Sequence, residues 1–211
     1  MLTLERARAW YEHVDAVHDF SHIERVYKMS ERLAIAEGAD LEIVHAAALL
    51  HDADGTTPGS DSRKEHHLRS AEFAERILQE EGWPEERIQA VQHCVRAHRF
   101  RGDQEPPATI EAKCIFDADK LDVLGAIGAV RTVVYAALAG TPFYTPPSQQ
   151  FMKTGKEIEG ELHSAYHEYI YKLQKIEKKL FTQTAKEIAK SRSQYLDGFF
   201  EQLIAEINGE R

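Results

Sequence analysis

A membrane-spanning segment is the first thing this sequence lacks: no apolar run reaches the roughly 18 residues that a spanning helix needs. The stretch from Met1 to Arg8 is amphipathic and charged, without the apolar core of a signal peptide, so the expected compartment is the cytoplasm. Cysteine is scarce. Only Cys94 and Cys114 occur, with no Cys-x-x-Cys spacing and each in an apolar, helix-like pattern, which reads as two buried free thiols. Positive charge is not in excess either. A net charge of −9 argues against a stable nucleic-acid partner or a membrane-surface role, both of which want basic faces. Phosphate substrates stay compatible, because a pocket's local charge can oppose the global one. Repeats, low-complexity tracts and β-alternation of useful length are also missing. Gly155-Lys156 lacks the upstream glycine and the following Ser or Thr of a P-loop. A ferritin-like di-iron bundle needs two Glu-x-x-His motifs and only Glu42-x-x-His45 is present; the zincin motif His-Glu-x-x-His is absent.

What is present is helix. The chain has 211 residues with 43% hydrophobic and 29% charged content, values of one globular domain with room for a real core. Thr3 precedes an amphipathic stretch to about Val14. Ser21 with Glu24 reads as a capping box, opening a helix that stops at Gly38. Asp40 can cap a helix over Leu41 to Leu50, and the segment from Ala53 to Ser62 is a loop. Helical spacing resumes from His67 to Gln79 and ends at Gly82; Pro84 favours a helix over about 84–98. Arg99 to Pro107 is a loop, two helices flank Asp119 with the second reaching about Ala139, and Gly140 to Ser148 breaks the chain. From Glu157 the tail reads as two long amphipathic helices split near Thr182, with Thr184 and Glu187 as a second capping box.

The apolar run from Ala46 to Leu50 ends in His51-Asp52. Neighbouring side chains on a helix point about 100° apart, so both can reach one ion only where the helix ends or bends. Upstream stands Ser21-His22-Ile23-Glu24-Arg25-Val26, and downstream Asp117-Ala118-Asp119-Lys120-Leu121-Asp122. These three segments, in order, resemble the HD-domain superfamily of metal-dependent phosphohydrolases, and in particular its single-domain, stand-alone bacterial members. The resemblance covers about residues 15–131, with a weaker echo in the helical tail.

It implies an all-α, single-domain bundle, with a metal-binding core over about 15–139 and a helical C-terminal extension over about 157–208. It also implies that His22, His51, Asp52 and Asp119 hold one divalent ion. Two neutral imidazoles and two carboxylates balance its charge, and mixed N/O ligation suits Mn, Fe, Co, Ni or Zn more than Mg. Four protein ligands on a six-coordinate ion leave room for a water and a phosphoryl oxygen. The expected activity is hydrolysis of a phosphoester or phosphoanhydride of a small compound, with a nucleotide first. His18 and Asp117 rival His22 and Asp119 as ligands. Some related nucleotidases carry a glutamate three residues beyond the His-Asp pair; here that position is Gly55, leaving Asp54, Asp52 or the metal to activate water. His93 and His98 are candidates for phosphate donors or proton shuttles, with His98 preferred. Arg63, Lys64 and Lys120 are candidate phosphate cations. Glu65-His66-His67 reads as a helix start, with its second histidine the one nearer a pocket. His45, His163 and His167 are assigned to structure or surface, and Asp122 to solvent or an ion pair. The alternatives are a catalytically silent nucleotide-binding module and a dinuclear, HD-type oxygenase. Homo-oligomerisation stays open.

Overall fold

The computed structural model describes residues 2–11, 19–54, 65–102 and 104–211, and among these there are helices and no strand. Ten α-helices follow in order: α1 (Leu4–Arg8), α2 (Phe20–Glu37), α3 (Leu41–Leu50), α4 (His66–Glu80), α5 (Glu85–Ala97), α6 (Ile110–Leu121), α7 (Gly125–Leu138), α8 (Gln149–Thr154), α9 (Ala165–Tyr171) and α10 (Gln183–Ile207). Two compact units emerge: Met1–Asp119 with Leu180–Ala185, and Lys120–Lys179 with Lys186–Arg211. The all-α expectation holds, although the division falls at Asp119, so that α7 belongs to the second unit.

The first unit is built around α3. Its sequence, LEIVHAAALL, is apolar on almost every side, the pattern of a helix enclosed by others. It packs against α1, α2, α4 and α5, and Ala46 through Leu50 are all buried. Ile23, Val26 and Leu33 of α2, Leu78 of α4, Ile88 and Val91 of α5, and Ile115 and Phe116 of α6 complete the core. The start of α3 is fixed by the Asp40 side chain, which accepts hydrogen bonds from the Glu42 and Ile43 amides as expected. Arg87 of α5 clamps the same carboxylate at 2.9 Å and 3.1 Å. Gly38 ends α2 at φ +72, a left-handed conformation that glycine adopts without a Cβ clash.

The α2 cap departs from expectation. Asp19, with extended backbone, occupies the N-cap, and Ser21 lies inside the helix with its hydroxyl donating to Asp19 at 2.6 Å. In the tail, Thr182 precedes α10 and its hydroxyl accepts from the Ala185 amide, so the cap falls two residues before Thr184.

In the second unit, α7 packs on α9, and Tyr169 stacks on Phe200 of α10 at 4.2 Å between ring centroids. Asp122 is buried and ion-paired with Arg131, not solvated. The expected long helix after Glu157 is replaced by the seven-residue α9 and 3-10 turns at Leu173–Lys175 and Glu177–Lys179. The cause is a polar knot. The Glu161 carboxylate accepts from the Ser148 amide and hydroxyl and the Ile158 amide, and lies 3.1 Å from His167 Nε2. Ser164 and His167 form a capping box that starts α9 there. Among the described residues no single helix is long and apolar enough to cross a membrane. The α6–α7 pair passes by length and composition but is bent by 65°.

Candidate metal centre

The apolar α3 delivers His51 as its C-cap and Asp52 in the turn after it. This is the helix end that lets adjacent side chains converge. His51 is fully buried, and its Nδ1 donates to the Ala48 carbonyl at 2.9 Å, one of the orphan acceptors of the last turn. In a neutral ring that bond puts the lone pair on Nε2, and this nitrogen is buried without a hydrogen-bond partner among the described residues. Around it, His22 of α2, His51 and Asp119 of α6 bring ligand atoms within 4.8 Å of one another. His22 Nε2 lies 3.5 Å from Asp119 Oδ1, and Asp52 Oδ2 lies 3.8 Å from His51 Nε2 and 4.0 Å from His22 Nε2. The four expected residues therefore share one site, three helices and a turn contributing to it.

Electrostatics suit a cation. Burial pushes the His51 imidazole down to about 4, with the neighbouring His98 and His22 charges acting in the same direction and Asp52 opposing them. The ring is neutral at ordinary pH, as a ligand must be. Burial alone would raise the Asp52 carboxyl. The charge of His51 and the adjacent His66 and His98 imidazoles outweigh it and hold the group well below the usual carboxylate range. A buried lone pair facing two carboxylates, with no donor to satisfy it, fits a divalent ion.

The other oxygen of Asp52 faces a second triad. Oδ1 lies 3.1 Å from His66 Nε2 and 3.4 Å from His98 Nε2, and these three again bring ligand atoms within 4.8 Å. His98 is the C-cap of α5 and His66 the first residue of α4, both buried. The expectation for Glu65-His66-His67 needs correction: the helix does start there, but His66 is the histidine that joins the triad. His67 is buried beside it with an Nδ1 that has no hydrogen-bond partner among the described residues, and burial and the neighbouring cations push it to about 4. Arg99 was read only as the start of a loop, yet it places a guanidinium N–H 2.7 Å from His66 Nδ1. The one local sign of either residue is adjacency, Arg99 to His98 and His66 to a helix start.

The remaining candidates stand elsewhere. His93 has Nδ1 2.5 Å from Glu105 and Nε2 accepting from the Ala108 amide, so both nitrogens tie down the loop after α5. Asp54 exchanges backbone hydrogen bonds with the Ser70 hydroxyl; its half-exposed carboxylate lies 3.8 Å from Arg69. Asp117 is fully buried and accepts from the Phe181 and Thr182 amides and the Thr182 hydroxyl, which separates it from the ligands. Lys120 follows Asp119 on α6 and is half-buried. His45 stacks on Tyr27 and pairs with Glu31, a structural role as expected. His18, Gly55, Arg63 and Lys64 lie outside the described residues.

Comparison with known proteins agrees with this geometry. The family model for the HD domain matches residues 19–124, from the cap of α2 to the turn after α6. YpgQ of Bacillus subtilis (strain 168), itself an uncharacterised protein, is 29% identical over 97% of this chain and 94% of its own. The crystal structure of Bacillus subtilis YpgQ in complex with ADP superposes with a TM-score of 0.76 at 28% identity, over 98% of this chain and 99% of that one. An HD-superfamily hydrolase from Bacillus thuringiensis matches with a TM-score of 0.70 at 29% identity, over 97% and 96%. With the family model spanning half the sequence and the His, His-Asp and Asp motifs gathered at one buried centre, the chain belongs to the HD-domain family.

Proposed function

We propose that this protein is a divalent-metal-dependent phosphohydrolase acting on a small phosphorylated compound, a nucleotide first, with one ion held by His22, His51, Asp52 and Asp119. The observation that carries the reading is the fully buried His51 Nε2, without a hydrogen-bond partner among the described residues and facing Asp52 beside His22 and Asp119. Nothing but a Lewis acid or a donor satisfies such a nitrogen. A bound divalent ion would supply polarisation of a phosphoryl oxygen and a water of lowered pKa. The chain's residues do the rest. His51, fixed by Ala48 O, and Asp52 set the orientation of the ligand atoms. His98, at the edge of Asp52, can hold or hand over a proton beside a phosphoryl oxygen. The nucleotide preference follows from the ADP bound by the similar Bacillus subtilis YpgQ.

The test is metal content together with turnover against nucleoside mono-, di- and triphosphates, with released phosphate and pyrophosphate distinguished. His51→Ala and Asp52→Ala should each lose metal and hydrolysis together. Full metal occupancy in either variant would refute the assignment. The Asp52, His66 and His98 triad is the observation that favours a second reading, a dinuclear centre.

A further inference from the structure

Three converging ligand atoms can mean an ion or a chain of hydrogen bonds, and the distal ring nitrogens tell the two apart. A histidine that ligates through Nε2 must keep its lone pair there, so its Nδ1 carries the proton and donates. His51 obeys this, giving Nδ1–H to Ala48 O at 2.9 Å. His98 does too, giving Nδ1–H to Val95 O at 2.5 Å. His66 does the opposite. Its Nδ1 faces Arg99 Nη1 at 2.7 Å, and a guanidinium has five donors, no acceptor and no accessible deprotonated form. Nδ1 of His66 must therefore accept, and the ring's single proton sits on Nε2.

That proton points to His98 Nε2, 3.4 Å away, with Asp52 Oδ1 at 3.1 Å beside it. The donors and acceptors then run in one direction, Arg99 to His66, His66 to His98 and His98 to the Val95 carbonyl, leaving Asp52 Oδ1 without a hydrogen-bond partner among the described residues. In this chain His66 has an N–H where an ion would need a lone pair. A dication here would also meet the fixed positive charge of Arg99 on the far side of one imidazole ring.

We propose that Arg99 and His66 are positioning residues: Arg99 locks His66 as a hydrogen-bond donor, closing the Asp52/His66/His98 triad to a second ion and keeping the centre mononuclear. The proposal rests on the one-ion site described above and adds the device that limits it to one.

Two measurements test it. In chelated protein at neutral pH, nitrogen-15 correlation spectra of the imidazoles should show His66 protonated at Nε2, against Nδ1 for His51 and His98. Dialysis against excess Mn²⁺ with elemental analysis should give one ion per chain for the wild type and for Arg99→Lys, which retains a donor. Arg99→Met, which has none, should rise towards two. A His66 protonated at Nδ1 in the wild type would overturn the proposal without any variant having to fold. So would two ions per chain in the wild type, or an Arg99→Met stoichiometry that stays at one. Failure of the one-ion reading looks different: no ion in the wild type, or an ion retained in His51→Ala.

Discussion

At neutral pH the His51 ring is uncharged because it is buried, and that neutrality has a cost in acid. Its folded value of about 4 lies below the ordinary value of 6.5, so between those limits the unfolded chain binds the extra proton. Stability of the chelated protein is therefore full above pH 6.5 and falls as pH drops towards 4. His67, also at about 4, adds to the same window. Each group contributes a slope of up to about 1.4 kcal/mol per pH unit. Denaturant melts at pH 7, 5.5 and 4.5 should show the decline, and His51→Gln should flatten it; a constant midpoint over this range would contradict the burial argument. A second expectation concerns His98. It adjoins Asp52 without standing among the four proposed ligands, so His98→Ala should keep about one ion per chain while turnover falls by about 10²-fold, typical of a lost acid or base. Loss of the ion in that variant would make His98 a ligand instead.

Among the elements, the start of α10 is fixed by the buried Asp117 carboxylate, with Glu37 accepting from the Thr184 amide. Asp117 accepts both amides that precede the helix and the hydroxyl of Thr182, which in turn caps Ala185. Asp117→Ala would strand those donors, at a cost of about 2–4 kcal/mol seen as a lower urea midpoint with an unchanged slope. A shift under about 0.5 kcal/mol would show that water replaces the carboxylate. The same element shows what sequence could and could not convey. Helix α3 was legible to the residue, because Asp40 caps it and Gly38 closes the helix before. At two helix starts the capping-box pattern pointed two residues too late, to Ser21 where Asp19 is the cap and to Thr184 where the Thr182 hydroxyl takes the role. Distant contacts chose: the buried Phe20 and the Asp117 carboxylate pulled each helix start earlier. The break after Glu157 was likewise invisible, since it depends on Glu161 gathering donors from Ser148, Ile158 and His167. The motif residues His22, His51, Asp52 and Asp119 were legible because each belongs to a local signature. His66 and Arg99 were not, because their meaning arises only where the start of α4 meets the end of α5.

For the whole molecule, the apolar burial around α3 is independent of any ion. Chelated protein should keep its helical circular dichroism and melt at a lower temperature than the metal-loaded form, since a ligand that binds only the folded state stabilises it by mass action. Loss of helicity at room temperature on chelation would show instead that the ion organises the fold. The two units are also interleaved in sequence. Residues Leu180–Ala185 belong to the first unit although 60 residues of the second precede them, Lys120–Lys179. A shortened protein ending after α7, chosen to isolate the metal-binding half, would delete the Phe181 and Thr182 donors on Asp117, two residues from Asp119. It would take two amide donors and a hydroxyl from a fully buried carboxylate on the helix that carries a proposed ligand. The first unit of this chain is therefore discontinuous in sequence, and no single cut yields it.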